Sequence, residues 1–142
     1  MAIIVNPGTG SQYVIQELLG SGSFGKVFKA YNSSMRKIVA VKMIHCYSLD
    51  QATEAVKEAT LHGTIQHVNI LKCYAVFSIP DYMGSVMTCL IEEFCDGGSL
   101  ADQIRTRRYN KYRETKSWVL QILSGLIKIH QHTSGQDIIE RQ

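Results

Sequence analysis

Apolar and polar residues alternate over Tyr13–Leu19, Lys26–Tyr31 and Lys37–His45, the period-two pattern of half-buried strands. From about Leu49 to Gln66 the period lengthens. Ala52, Ala55, Val56, Ala59 and Leu61 then give one apolar side at helical spacing, with Asp50 as the expected N-cap. Leu71–Ile79 and Val86–Ile91 return to strand patterning about a turn at Pro80-Asp81, with Gly84 near its end. Ser99 stands where it can cap a short helix to about Arg105. A longer helix, from about Tyr112 to His130, carries Trp118, Ile122, Leu126 and Ile129 down one stripe. Residues 1–11, with Pro7, Gly8 and Gly10, read as a flexible lead-in. The expected order is three strands, a helix, two strands and then helices, an α+β arrangement.

Between the first two strands lies Leu19-Gly20-Ser21-Gly22-Ser23-Phe24-Gly25-Lys26-Val27, whose glycines fall as G-x-G-x-x-G-x-V. Glycine at such places lets a chain bend tightly and brings backbone N–H groups close to phosphate oxygens. The same spacing occurs in dinucleotide folds, where a helix opens at the third glycine. Here Lys26–Tyr31 alternates as a strand, so the glycines are expected at the tip of a hairpin.

Composition narrows the classes. At 142 residues, 45% hydrophobic and 19% charged, the chain is one domain's worth and can bury a core. A net charge of +3 does not imply a nucleic-acid partner. Cys46, Cys73, Cys89 and Cys95 form no C-x-x-C pair and sit in apolar, strand-like surroundings, as expected of reduced core or near-core thiols in a cytoplasmic protein. No stretch approaches the roughly 20 apolar residues of a membrane span, and the first ten residues lack the basic region of a secretory signal. The cluster Arg105, Arg107, Arg108, Lys111, Arg113 and Lys116 reads as a solvated face; an acidic partner or anionic membrane surface is the alternative.

Several residues together resemble the protein kinase family. Val39-Ala40-Val41-Lys42 is similar to its V-A-I-K strand, and the glycine hairpin resembles its ATP flap. His67-Val68-Asn69-Ile70 resembles the segment after the family's first helix, and Glu93-Phe94-Cys95-Asp96-Gly97-Gly98-Ser99-Leu100 resembles the hinge between its lobes. The hinge phrase and Trp118–His132 look most like the NIMA-related (NEK) serine/threonine kinases. The resemblance implies a kinase-like N-lobe at 12–95, a five-stranded antiparallel sheet with one helix. A hinge at 96–98 and part of a C-lobe with two helices at 99–142 would follow.

It also implies ATP as cofactor, with Mg²⁺. Residues 19–27 would cover the phosphates, Lys42 would bridge the α- and β-phosphates, and Glu58 on the helix would hold Lys42, with Glu54 as the alternative. Val27 and Ala40 would sandwich the adenine, backbone groups of Glu93 and Cys95 would bind its edge, and Ser99 would lie near the ribose.

The sequence departs from the family pattern in three places. Glu92 falls at the rear of the adenine pocket, where the family usually has an apolar residue or Thr; there it must be paired or protonated, and Lys42 is its expected partner. His62 replaces a bulky apolar residue of the packed column that links the lobes. Near the end, only Asp137 and Ile138 match the catalytic loop, leaving Asp137 as candidate base, and Asp-Phe-Gly and Ala-Pro-Glu do not occur. The main Mg²⁺ ligand is thus missing from this sequence, no other metal site is expected, and the resemblance spans about half a kinase domain.

Helix side chains normally covered by the rest of a large lobe, from Trp118 to Ile129, would then need a substitute. At about 1.5–3 kcal/mol each, six such side chains represent on the order of 10 kcal/mol of unrealised burial. That predicts packing on the small lobe, self-association or a protein partner. The function expected is an ATP-binding serine/threonine kinase, impaired as this chain; the alternatives are a pseudokinase interaction module and a non-functional gene fragment.

Overall fold

A computed structural model describes residues 2–23, 25–81, 84–107 and 109–139, with side chains described as far as residue 132. Phe24 of the hairpin tip, Arg108 of the basic cluster and the side chain of Asp137 lie outside the described residues. The chain divides into two compact units, Met1–Thr64 with Lys72–Phe94, and Ile65–Leu71 with Cys95–Gln142.

The first unit is an antiparallel six-stranded sheet with one helix. Its elements are β1 (Ile3–Val5), β2 (Gln12–Gly22), β3 (Gly25–Asn32), β4 (Lys37–Cys46), α1 (Leu49–Thr64), β5 (Cys73–Pro80) and β6 (Val86–Glu93). The sheet order is β1-β2-β3-β4-β6-β5, so β6 lies between β4 and β5. The α+β class and the five expected strands are present, and a sixth is added. Ile3–Val5 pairs with Gln12–Val14, so these residues of the expected lead-in are ordered. Ile4 turns inward, and buried Asn6 closes the connection by accepting from the Gly8 N–H at 2.9 Å. Pro7, Gly8 and Gly10 do mark a turn, but three residues before it suffice for a strand because β2 supplies their hydrogen bonds.

The core fills one face of this sheet. Ile4, Tyr13, Ala30, Val39, Val41, Phe77, Cys89 and Ile91 are buried together, with the Tyr13 and Phe77 rings stacked at 5.9 Å. The β3–β4 turn is held from beneath by Asn32, fully buried, whose Oδ1 accepts from the Met35 N–H at 2.6 Å while Nδ2 donates to the Gln12 carbonyl at 3.3 Å. Of the cysteines, all are free; Cys46 and Cys89 are buried and Cys73 half-buried, whereas Cys95 is exposed rather than near a core.

α1 packs on β5 and β6 and more lightly on β4. Its N-cap is Ser48 rather than Asp50. Ser48 Oγ accepts from the Gln51 N–H at 3.2 Å and Gln51 Oε1 accepts from the Tyr47 N–H at 2.9 Å, a capping box reaching one residue further out. Asp50 instead places its charge in the first turn. Ala52 and Ala59 are buried, while Leu61 is exposed and His62 is half-buried in its place.

The second unit holds α2 (Leu100–Thr106) and α3 (Arg113–Ile139). Ser99 caps α2 as expected, its Oγ accepting from the Asp102 N–H at 3.0 Å. Gly125 of α3 is buried, and a Cβ there would come 3.2 Å from the Asn69 carbonyl, so 67–70 lies against this helix. His67 Nδ1 accepts from the Asn69 N–H at 3.0 Å, which leaves Nε2 to donate to Ser124 Oγ at 3.1 Å when the ring is neutral. Tyr109 packs on Trp118 at 5.1 Å. Leu120, Ile122, Leu123, Leu126 and Ile127 are each about half exposed.

Candidate functional site

The glycine run forms a hairpin. Gly20 pairs with Val27, Ser21 with Lys26 and Gly22 with Gly25, and no helix opens at the third glycine. Leu18 pairs with Phe28, so Leu19 is the extra residue of a bulge that bends the hairpin at its base.

The three glycines differ in why they are there. Gly25 has φ +113°, and a Cβ on it would lie 2.0 Å from the Met43 carbonyl oxygen; packing against β4 alone demands glycine. Gly20 and Gly22 have no positive φ, and a Cβ on either would meet nothing within 4 Å. Among the described residues nothing requires glycine at those two places.

Strand pairing decides what else shares the hairpin's inner face. Val27, Lys42 and Leu90 lie side by side across β3, β4 and β6, and Lys29, Ala40 and Glu92 form the next row on the same face. Val27 and Lys42 are half-buried, and Ala40 and Glu92 are buried. The hairpin, Val27, Ala40 and Lys42 are therefore brought to one surface of one unit. Lys29 reaches Glu17 at 3.5 Å and stacks over the Phe94 ring at 5.2 Å.

Glu58 is exposed on α1, one turn before His62. Ion pairs join Lys29 to Glu17, His45 to Asp81, Lys57 to Glu54 and Arg105 to Asp102, and among the described residues Lys42 is paired with neither Glu58 nor Glu92. Glu54, the alternative, is engaged with Lys57 at 3.3 Å. The charges that bear on Glu92 are Lys42 and His62. Burial pushes its carboxyl above the usual range, and Lys42, with His62 second, only partly opposes the rise. Burial also lifts the Cys73 thiol, directly across the ladder, with the Glu92 charge adding to it.

In the second unit Cys95 is exposed, and Ser99 is committed to its cap, donating to Asp102 Oδ2 at 2.7 Å. Arg105 and the Ser99 hydroxyl hold Asp102 below the ordinary carboxylate range, Ser99 having the larger effect. The backbone of Asp137 continues α3.

Sequence reasoning missed a cleft of about 520 Å³ on the opposite face from Lys42, lined by Phe28, Met43, His45 and Met87 beneath the hairpin. Its signal was present in the odd-numbered positions of β4, which face away from Lys42. Beside it, His45 Nε2 meets both Asp81 Oδ2 at 2.9 Å and Ser85 Oγ at 3.3 Å. Because both partners use the same ring nitrogen, this is no relay of the Ser-His-Asp kind. Among the described residues no group of three or more His, Cys, Asp or Glu is placed to hold a metal, and no helix is long and apolar enough to cross a membrane.

Comparison with known proteins agrees with this geometry. The family model of the protein kinase domain matches residues 13–139. The chain is 34% identical over 122 residues to serine/threonine-protein kinase ULK3 of Xenopus laevis, covering 84% of this chain and 25% of that protein. It is 28% identical over 129 residues to serine/threonine-protein kinase tousled-like 2 of Mus musculus, covering 85% of this chain and 17% of that protein. It is also 28% identical over 142 residues to serine/threonine-protein kinase PLK2 of Mus musculus, covering 98% and 20%. The chain thus spans a quarter or less of these relatives' length. A glycine hairpin, a strand lysine on its inner face and a family match over most of the sequence lead to one assignment: the chain belongs to the protein kinase family, with serine/threonine kinases as its relatives.

Proposed function

We propose that the chain binds ATP and belongs to a serine/threonine phosphotransferase, with the nucleotide seated on the inner face of the hairpin sheet. The observation that carries this is the alignment of Val27, Ala40 and Lys42 on one face below a hairpin whose Gly20 and Gly22 meet no described atom that would require glycine. Open space above their backbone is what a phosphate chain needs. Val27 and Ala40 supply an apolar clamp for a planar base, and Lys42 supplies the charge for the α- and β-phosphates. By family resemblance the backbone of Glu93 and Cys95 would take the adenine edge, Ser99 would lie near the ribose, Glu58 would support Lys42, and Asp137 would act as base.

Phosphoryl transfer is mostly positioning and charge neutralisation, with the metal carrying much of the latter. With no Asp-Phe-Gly in this sequence, we propose that this polypeptide alone transfers no phosphate. A NEK-type affiliation, supported by the run Cys95-Asp96-Gly97-Gly98-Ser99-Leu100, and a cytoplasmic location belong to the same reading. A second reading is an interaction module without catalysis, supported by the exposed apolar side chains of α3, which would serve self-association or a protein partner.

A thermal-shift titration with Mg²⁺-ATP tests the first reading. The melting point should rise with nucleotide, and Lys42→Ala should abolish the rise. No shift in the folded wild-type chain would overturn it.

A further inference from the structure

We infer that Glu92 reads the purine, accepting a hydrogen from a 6-amino group and disfavouring a 6-oxo purine. This rests on the nucleotide site proposed above and goes past it by assigning the residue that selects the base.

Glu92 is only 8% exposed; among the described residues no side-chain hydrogen bond or ion pair reaches its carboxylate, and since no fully buried side-chain oxygen lacks a partner, its oxygens keep the residue's small contact with water. Lys42 and His62 are near enough to influence its charge but form no ion pair with it. A carboxylate left with so little water is poorly hydrated, and a ligand that covers it must replace that water with a donor. The register puts Glu92 directly opposite Ala40, with Lys42 on the diagonal, a separation of about 7–8 Å that long side chains reach across.

The surface therefore combines a small apolar floor for a flat ring, a cation further along, and one acceptor lacking a donor. A 6-aminopurine nucleotide matches all three, since it carries a planar ring, a polyphosphate and an exocyclic amine with two hydrogens. One hydrogen can go to the backbone of the adjoining Glu93 and the other to the Glu92 carboxylate. A 6-oxo purine would set an oxygen lone pair against the carboxylate, leaving both acceptors unsatisfied.

The test compares Mg²⁺-ATP with Mg²⁺-ITP, which differ at that substituent and the adjacent ring proton, by fluorescence displacement on the whole chain in neutral buffer. Wild type should prefer ATP by about ten- to a hundredfold, the range of a hydrogen bond to a charged group. Glu92→Met should cut that preference by about tenfold, leaving only the part that the Glu93 backbone supplies. The ratio is internal to each protein, so a partly unfolded variant lowers both affinities alike; Glu92→Gln, which keeps the shape, gives the same reading if Glu92→Met does not fold.

Acidification adds a second readout. Protonated Glu92 becomes a donor, so the wild-type preference should shrink while that of Glu92→Met stays level. The other titratable or charged groups facing the site are Lys29 from β3, Lys42 from β4, His62 from α1 and Cys73 from β5. If neither nucleotide binds, or if binding ignores Lys42→Ala, the nucleotide site falls and this assignment with it. If ATP binding depends on Lys42 but ITP binds equally well, or Glu92→Met keeps the full wild-type preference or its pH dependence, the assignment to Glu92 is overturned.

Discussion

Replacing Gly25 by alanine should destabilise the fold, and replacing Gly22 should not, although both belong to one motif. At Gly25 the added Cβ would lie 2.0 Å from the Met43 carbonyl oxygen and 3.0 Å from its carbon, well inside contact distance and against backbone rather than a movable side chain. The φ of +113° adds a conformational penalty of about 1–2 kcal/mol for any L side chain. Relief requires β3 to move off β4 at the Lys26–Met43 pair, which loosens ladder bonds of the central sheet. Penalty and displacement together should cost about 2–4 kcal/mol, a large fraction of the roughly 5–15 kcal/mol that holds a domain together. In a thermal melt this corresponds to a loss of roughly 10 °C. Gly22→Ala meets no atom within 4 Å and should melt within about 2 °C of wild type, since surface changes are usually within about 0.5 kcal/mol. If Gly25→Ala melts with the wild type, the hairpin does not press on β4 as described, and the distinction between structural and ligand-facing glycines fails.

Two further predictions concern buried polar groups. Asn32→Ala removes the acceptor for the Met35 N–H and the donor to the Gln12 carbonyl, and should cost about 1–3 kcal/mol in urea unfolding at unchanged m-value; a variant as stable as wild type would show that the turn holds itself. The Glu92 carboxyl titrates higher in the folded than in the unfolded chain, so between the two pKa values the native state binds more protons. Stability is therefore lost as pH rises through that window and regained as pH falls. Glu92→Gln should be more stable than wild type at neutral pH, the gap closing towards the unfolded carboxyl's pKa of about 4.3; a gap that widens on acidification would refute the sign.

Most of the architecture was legible in the sequence because alternation and helical spacing are direct consequences of which face is buried. Tyr13–Leu19, Lys26–Tyr31 and Lys37–His45 carry that signal plainly, and each lies within a strand of the sheet. What escaped depends on partners distant in sequence. Ile3–Val5 is too short to show a period and becomes a strand only through the hydrogen bonds β2 offers. The α1 cap is the exception, because Ser48 and Gln51 form a Ser-x-x-Gln signature that is local and legible, and the carboxylate of Asp50 drew the reading away from it. The glycine motif was visible, but its spacing cannot separate a glycine forced by a neighbouring strand from one left open for a ligand; only the 2.0 Å approach of Met43 to Gly25 does that.

The same limit applies to charge. Glu58 and Glu92 are both glutamates within plausible reach of Lys42 in the sequence reading, and only burial tells them apart. On α1 the buried positions are Ala52 and Ala59, which leaves Glu58 at the margin in water, where pairing with Lys42 gains little over hydration. Glu92 sits inside the β4–β6 ladder, where little water screens it and any donor or cation near it counts for more. An exposed Glu58 can take Lys42 only when something else lowers the cost of bringing them together. A nucleotide whose phosphates draw the Lys42 ammonium, and whose amine satisfies Glu92, would remove the competitor at the moment it fills the site. Base selection and the setting of the lysine are in that sense one electrostatic problem, and the variants at position 92 address both.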